Sequence, residues 1–219
     1  MNSGAPPRLA VTEIYASIQG ESTHAGRPCV FVRLAGCPLR CTWCDTEYSF
    51  AAGERLTIDE ICSNVAMLGV SLVEVTGGEP LAQKPCAELL KTLCDQGFEV
   101  LLETSGAYPF AQLDPRVTVI ADLKCPDSGE SQRNLLSDLA NLRANDELKI
   151  VVASRADFDW ALQMLRGELA NVRATVLWGA VWQNVTLADL AAWLLAERAP
   201  GRMQVQLHKV IWPDIERGV

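Results

Sequence analysis

The chain has 219 residues, of which 49% are hydrophobic and 21% charged, an ordinary composition for a globular protein with a buried core. Its formal net charge of −8 argues against a nucleic-acid partner, which would require a basic face. The N-terminal residues lack the basic and apolar segments of a signal peptide, and no apolar run reaches the roughly 20 residues that span a bilayer. We therefore expect a cytoplasmic protein without a membrane segment, whose eight cysteines stay reduced.

Strand-like and helix-like segments alternate along the chain after the first ten residues. Strands are predicted where apolar and β-branched residues run together, and helices where apolar residues recur with the helical period. Thr57 and Glu60 have the spacing of a capping box, which predicts a helix start. In chain order the predicted elements are strand 29–36, helix 57–69, strand 72–80, helix 85–97, strand 99–106, strand 117–124, helix 134–143, strand 147–154, helix 157–169, strand 174–181, helix 187–198 and strand 203–209.

This alternation predicts a parallel sheet with right-handed helical crossovers, an α/β fold. Polar or glycine-containing motifs follow four of the strands, namely GCPLRC, TGGEP, ETSG and DLK. Several distinct motifs at one sheet edge favour a barrel wall over a single nucleotide-binding crevice. Because the chain is shorter than the roughly 250 residues of an eight-fold barrel, we expect an incomplete TIM-like barrel with about six parallel strands.

Three cysteines, Cys37, Cys41 and Cys44, lie close together with the spacing C-x3-C-x2-C. A structural zinc site would need a fourth ligand, and neither His24 nor His208 has the spacing for it. Three thiolates suit a [4Fe–4S] cluster that leaves one iron open for a substrate or cofactor. Fortuitous cysteines or a zinc site remain the alternative. The other cysteines, mostly at core-like positions, are Cys29, Cys62, Cys86, Cys94 and Cys125.

The cysteine spacing after a predicted strand, with Trp43 before the third cysteine, resembles the signature of the radical S-adenosylmethionine (SAM) superfamily. The TGGEP segment resembles the second motif of that superfamily, which meets the SAM amino group. Glycine permits a close backbone approach at such a position. The resemblance implies that Cys37, Cys41 and Cys44 hold a [4Fe–4S] cluster. It also implies a SAM site made by Trp43, Cys44, Asp45, Gly78, Glu79, Ser105, Asp122, Leu123 and Lys124.

Segments along the whole chain resemble the 7-carboxy-7-deazaguanine synthases, a radical SAM family of the queuosine and 7-deazapurine pathway. They are EIYASIQGES, VFVRLAGCPLRCTWCDT, VTGGEP, LLETSG, DLKCPDSGE, ELKIVV and LHKVIW. The resemblance implies a lyase that converts 6-carboxy-5,6,7,8-tetrahydropterin to 7-carboxy-7-deazaguanine with loss of ammonia, using SAM catalytically. It also implies Mg²⁺ as a cofactor, a reductase or flavodoxin-type electron donor, and a homodimer.

The same resemblance assigns a substrate site and a metal ligand. It implies Thr46 as the Mg²⁺ ligand, and Arg33 as the partner of the substrate carboxylate, to which a guanidinium offers two donors. A surface charge is the alternative for Arg33. Glu21 and Glu103 are either active-site carboxylates or supports, and His208 is either a core or a pocket residue. The implied substrate-binding residues are Ile18, Gln19, Gly20, Arg33, Thr76 and Val219.

The resemblance covers the whole chain and implies a single radical SAM core domain (1–219). Within it, an N-terminal extension (1–28) contacts the substrate, and a C-terminal strand and tail (203–219) lie near the active site; whether Pro213 reaches the pocket is open. Two other functions remain. A glycyl-radical activating enzyme shares the cysteine spacing but acts on a protein. A binding module for an iron–sulfur cluster or zinc would have no turnover, and the GGE motif argues against it.

Overall fold

The computed structural model describes residues 6–51, 53–215 and 217–219, so residues 1–5 of the predicted N-terminal extension lie outside the described part. The strands are β1 (Arg8–Ile18), β2 (Pro28–Leu34), β3 (Glu54–Thr57), β4 (Leu72–Gly77), β5 (Glu99–Thr104), β6 (Thr118–Asp122), β7 (Glu147–Val152), β8 (Thr175–Ala180) and β9 (Arg202–Met203). The helices are α1 (Ile58–Met67), α2 (Cys86–Asp95), α3 (Leu136–Ala140), α4 (Arg155–Arg166), α5 (Leu187–Glu197) and α6 (Leu207–Ile211).

Over the described residues these strands form one nine-stranded sheet in the order β3-β1-β2-β4-β5-β6-β7-β8-β9. β2 and the strands from β4 to β9 are parallel, while β1 pairs antiparallel with β2 and β3. The sheet is open because β3 and β9 are its edges. The predicted incomplete α/β barrel with about six parallel strands is confirmed: β9, the seventh parallel strand, has only two residues. None of the helices in the described part is long and apolar enough to cross a membrane.

Local signals placed most elements correctly. The capping box at the start of α1 is present, because the Thr57 hydroxyl accepts a hydrogen bond from Glu60 N at 3.2 Å. In return, Glu60 Oε2 accepts one from Thr57 N at 2.7 Å. The helix that follows buries Ile61 and Val65 at i and i+4, on the side that faces the sheet.

The prediction of a strand at 203–209 is wrong beyond its first residue. The alternating pattern MQVQLHK is typical of a strand, but β9 ends at Met203 and Leu207 begins the helix α6. The chain leaves the sheet because Leu207 N donates a hydrogen bond to Gly20 O at 2.8 Å, which docks α6 on the segment after β1. The sequence also gave no separate prediction for β1 and β3, the two antiparallel strands.

Strand alternation gives the sheet two different faces. The outer face, with residues such as Val73 and Val75 of β4, packs against the helices in the main core. On the inner face a smaller apolar floor contains Phe31, Leu72 and Leu101. Further toward the carboxyl ends of the same strands, the inner positions are polar or charged, and this inner polar layer contains Arg33, Glu74, Thr76, Glu103, Asp122 and Lys149.

Candidate active site

The cysteine loop (36–46) follows β2 and is held in place by its own surroundings. Gly36 N donates a hydrogen bond to Ser49 O at 2.7 Å, which closes the base of the loop. The Arg40 guanidinium donates to Cys37 O at 2.7 Å. These hydrogen bonds fix the shape of the loop backbone.

The thiols of Cys37, Cys41 and Cys44 are half-buried and form no disulfide. Burial raises the pKa of each thiol, and the Lys124 ammonium opposes this effect; neighbouring thiols raise the pKa further at Cys37 and Cys41, and the Asp45 carboxylate does so at Cys44. Among the described residues, no group of three Cys, His, Asp or Glu side chains converges on a single metal ion. Three thiols on one loop could hold a [4Fe–4S] cluster, with each thiolate bound to a different iron. Because cluster binding needs thiolates, it would release protons here.

The GGE loop (77–79), at the end of β4, lies directly against the cysteine loop. Gly78 N donates to Leu34 O at 3.0 Å, and Glu79 N donates to Gly36 O at 2.9 Å. A Cβ at Gly78 would stand 2.3 Å from Gly36 O and 2.8 Å from the Cβ of Cys37. The glycine is therefore required by the contact between the two loops.

The Glu79 carboxylate is fully buried and faces protein groups. Its Oε1 accepts a hydrogen bond from Leu81 N at 2.8 Å, and its Oε2 accepts one from Ser105 N at 2.8 Å. The Ser105 hydroxyl, at 2.5 Å, and the Thr104 hydroxyl, at 3.0 Å, donate to the same carboxylate. Sequence reasoning expected this carboxylate to meet the SAM amino group. In the structure the carboxylate links the GGE loop to the end of β5, and its contact with SAM stays a prediction.

The DLK segment presents a paired lysine at the end of β6. Lys124 Nζ lies 2.6 Å from Asp122 Oδ2. Asn134 fixes the backbone of Lys124, because its amide bonds both Lys124 N and Lys124 O at 2.9 Å. The Leu123 side chain is buried in the outer core, so at this edge only its backbone is available to a ligand.

The segment after β1 packs on the C-terminal helix. Ile18 ends β1, and a Cβ at Gly20 would lie 2.3 Å from His208 Nδ1. The sequence left His208 between a core and a pocket role; the structure places it against Gly20. Burial lowers the pKa of His208, and the nearby Glu21 carboxylate opposes that shift.

The Gln19 side chain is only 3% exposed and its amide is held inside the protein. Its Nε2 donates to the Glu74 carboxylate, and its Oε1 accepts from Glu21 N at 2.9 Å. Burial raises the pKa of Glu74 well above its usual value, and the Glu103 carboxylate adds to the effect. Sequence reasoning missed Glu74, although an acidic residue inside the apolar run LVEV was a usable signal.

One network joins Glu21, Glu103 and Thr76 across the inner face. Lys149 Nζ contacts the Glu103 carboxylate and lies 3.2 Å from Glu21 Oε2. The Thr76 hydroxyl donates to Glu103 Oε2 at 3.0 Å, and Gln206 Nε2 donates to Glu21 Oε1 at 2.9 Å. Both glutamates thus belong to the site, and Lys149 and Gln206 are members that sequence reasoning missed.

Arg33 lies on the same inner face, and Tyr15 connects it to the C-terminal residue Val219. Its side chain is 15% exposed, with Nε 2.8 Å from Glu13 Oε1 and Nη2 2.9 Å from the Tyr15 hydroxyl. Arg33 is therefore an inner residue with an anionic partner, not a surface charge. The Tyr15 hydroxyl also donates to Val219 O at 3.2 Å, which brings the chain end here, whereas Pro213 is exposed.

Oxygen and nitrogen groups meet beside the third cysteine. The Thr46 hydroxyl donates to Asp45 Oδ1 at 2.9 Å, and Lys209 Nζ lies 2.7 Å from Asp45 Oδ2. Hydroxyl and carboxylate oxygens are the ligand types that Mg²⁺ prefers. Trp43, on the same loop, is partly exposed.

Known proteins match this chain in sequence and in fold. The family model of the Radical SAM superfamily matches residues 32–125, which include the cysteine loop and the GGE loop. A 7-carboxy-7-deazaguanine synthase of Chlorobaculum tepidum is 46% identical over 223 residues, covering 100% of both chains. The chain belongs to the 7-carboxy-7-deazaguanine synthase family.

A second relative agrees with this assignment, and one solved structure shares the fold. A second synthase, from Koribacter versatilis, is 39% identical over 226 residues and covers 96% of this chain and 100% of its own length. The crystal structure of QueE from Escherichia coli shares the fold, with a TM-score of 0.74 at 21% identity, covering 90% of this chain and 94% of that one. The predicted family is confirmed, and these names give no support to a glycyl-radical activating enzyme.

Proposed function

We propose that this protein is a carbon–nitrogen lyase that converts 6-carboxy-5,6,7,8-tetrahydropterin to 7-carboxy-7-deazaguanine with loss of ammonia, in queuosine or 7-deazapurine biosynthesis. Its full-length similarity to named synthases supports this activity. The main structural support for this activity is a polar network on the inner face of the sheet. In it, Lys149 contacts both Glu21 and Glu103, and the Thr76 hydroxyl donates to Glu103. A small polar heterocycle with a carboxylate suits such a lining better than a protein segment would.

We assign the cluster and the SAM site to the carboxyl edge of the sheet. Cys37, Cys41 and Cys44 would hold the [4Fe–4S] cluster, and together the cluster and SAM supply a 5′-deoxyadenosyl radical when bound. Gly78 is partly exposed, and its backbone is the proposed contact of this loop with SAM; Glu79, also proposed for SAM, accepts hydrogen bonds from Leu81 N and Ser105 N. The other residues proposed for SAM are Trp43, Asp45, Ser105, Asp122, the Leu123 backbone and Lys124.

The substrate would lie on the inner face between the apolar floor and the cysteine loop. The Arg33 guanidinium suits the substrate carboxylate, because a planar fork of donors matches a carboxylate. Gln19 contributes through its backbone in this proposal, since its side-chain amide is already bonded to Glu74 and Glu21 N. The remaining proposed contacts are Ile18, Gly20, Thr76 and the chain end at Val219.

Thr46 and Asp45 are the groups we propose for Mg²⁺. The Thr46 hydroxyl lies within hydrogen-bond distance of the Asp45 carboxylate, and that carboxylate already pairs with one cation, the Lys209 ammonium. A divalent ion here would share Asp45 with Lys209 or displace it. Mg²⁺ keeps several water ligands, so a hydroxyl and a carboxylate suffice from the protein.

The proposal extends to the organisation and setting of the protein. The chain would act as one radical SAM domain (1–219), with segments 1–28 and 203–219 completing the substrate site. The contacts of Gly20 with Leu207 and His208 support this joint role. We also propose a homodimer that takes electrons from a flavodoxin-type donor in the cytoplasm.

Anaerobic reconstitution tests the activity directly. The protein is loaded with iron and sulfide, then given SAM, Mg²⁺, dithionite and 6-carboxytetrahydropterin, and 7-carboxy-7-deazaguanine is sought by mass spectrometry. We expect product without net SAM consumption, and none from Cys41→Ala. Cys94→Ala is the matched control, because Cys94 lies in the outer core and not on the cysteine loop. SAM cleavage without the deazaguanine product would refute the proposed substrate.

A further inference from the structure

Lys149 is a buried charged residue on β7, a strand that also carries the buried Glu147. Its neighbours Leu148 and Ile150 are fully buried in the outer core, so strand alternation turns Lys149 to the inner face. Its side chain is only 8% exposed. A lysine tolerates such burial only when its ammonium is paired. The residues implied for the substrate and for SAM do not include it.

Three carboxylates surround the Lys149 ammonium. Nζ contacts the Glu103 carboxylate and lies 3.2 Å from Glu21 Oε2 and 3.6 Å from Asp122 Oδ1. Asp122 has a second cation, because its other oxygen is paired with Lys124. Glu21 and Glu103 have no other ion-pair partner in the described part of the chain, so Lys149 is the cation that they share.

We propose that Lys149 is a positioning residue, which holds the Glu21 and Glu103 carboxylates side by side as hydrogen-bond acceptors for the N–H groups of the pterin ring. This inference rests on the proposed function and deepens it. The 2-amino-pyrimidinone edge of a pterin carries adjacent N–H donors, and an ionised carboxylate is an acceptor only. A protonated carboxyl would present a donor of its own and lose the match.

The electrostatics of the layer agree with this role. Burial acts against the charge of Lys149, but Asp122, Glu103 and Glu21 raise its pKa well above the usual value. Burial likewise acts to raise the pKa of Glu103, but the Lys149 ammonium, the Thr76 hydroxyl and the Arg33 guanidinium together lower that pKa. Other titratable or charged groups face Lys149, Glu21 and Glu103 from the surrounding elements. They are Arg33, Asp45, Glu74, Asp122, Lys124 and His208.

Loss of the Lys149 charge would leave the Glu21 and Glu103 carboxylates without the counter-ion that they share. Like charges at short range raise the pKa of at least one member of such a pair. That carboxylate would then bind a proton more readily, and its acceptor role would return as the pH rises. A purely structural lysine would give no such pH dependence of substrate binding.

The test compares Lys149→Met, which keeps the side-chain length and removes the charge, with Lys149→Arg, which keeps the charge. The steady-state constants for 6-carboxytetrahydropterin are measured from about pH 6 to about pH 9, a range that brackets neutral pH. We expect Lys149→Met to lower kcat/KM roughly 100-fold near neutral pH, mainly through KM, as when a buried charge loses its partner. Part of this loss should be recovered as the pH rises.

Controls separate this role from a general defect. The KM for SAM of Lys149→Met is measured in parallel, so that an effect through Asp122, 3.6 Å from Lys149 Nζ, is distinguished from an effect on the pterin. Lys149→Arg should keep the shape of the wild-type pH profile. Lys91→Met makes the same chemical change at an exposed ion pair on α2 and should alter none of these constants.

The following results would contradict the positioning role of Lys149. A Lys149→Met enzyme with wild-type KM and an unshifted pH profile would overturn it, as would a loss confined to kcat. If circular dichroism shows that Lys149→Met does not fold, Lys149→Arg decides: an alkaline shift despite the retained charge would overturn the inference. If the wild type forms no deazaguanine product, the proposed function fails, and the inference with it.

Discussion

Replacing Glu79 by Gln tests whether the GGE carboxylate supports the site from inside the protein. Each carboxylate oxygen accepts a hydrogen bond from one backbone N–H, Oε1 from Leu81 and Oε2 from Ser105. A glutamine amide has only one oxygen, and its NH2 group is itself a donor. Whichever way the amide is oriented, one of these two backbone N–H groups loses its acceptor.

The size of the effect follows from this count. A net hydrogen bond to a charged group contributes about 1.5–3 kcal/mol, and an unpaired buried donor costs about 1–3 kcal/mol. One lost acceptor for a buried N–H therefore lowers the free energy of unfolding by about 2–3 kcal/mol. In a chain of this size about 1 kcal/mol corresponds to a shift in Tm of about 2–4 °C. We expect Glu79→Gln to lower the Tm by about 5–10 °C.

Thermal unfolding of the cluster-loaded protein, followed under anaerobic conditions with and without SAM, measures this loss. Glu168→Gln is the matched control, since Glu168 is exposed just after α4 and a surface change of this kind costs below about 0.5 kcal/mol. A direct contact between the Glu79 carboxylate and SAM predicts the opposite pattern. An unchanged Tm without SAM, combined with lost SAM binding, would refute the positioning role.

Three further substitutions test other parts of the structure. Gly78→Ala should lower the bound iron and the Tm, because its Cβ would stand 2.3 Å from Gly36 O, whereas Gly179→Ala should be tolerated, with its nearest neighbour at 3.6 Å. The stability of the wild type to urea should fall as the pH decreases below about 6.5, because burial lowers the pKa of His208 and the unfolded chain therefore binds the proton at a higher pH than the folded chain does. His208→Gln should reduce this fall. Thr57→Ala should cost about 1 kcal/mol in thermal unfolding through loss of the capping box.

The contradicting results are specific to each substitution. Wild-type iron content in Gly78→Ala would mean that the two loops separate without cost. An unchanged pH slope in His208→Gln would mean that His208 is as accessible to protons in the folded chain as in the unfolded one. An unaltered Tm in Thr57→Ala would mean that the start of α1 is held by packing alone.

The amino-acid sequence determined the features that depend on neighbouring residues. The alternation of strands and helices, the capping box at Thr57 and the spacing of the three cysteines are all local, because each involves residues only a few positions apart. The family could also be predicted, since its motifs are short segments that keep their order along the chain. These signals alone predict that the cysteine loop and the GGE loop lie at the same sheet edge.

The tertiary structure alone decided how those motifs meet. Residues 203–209 have the pattern of a strand, yet contact with Gly20 makes Leu207 the start of a helix. Glu79 turns into the protein because β5 brings Ser105 beside it. Lys149 meets Glu21 from 128 positions away, and no local pattern encodes such a contact. The crossovers of the sheet set these distances, so the pairing of buried charges is a property of the fold.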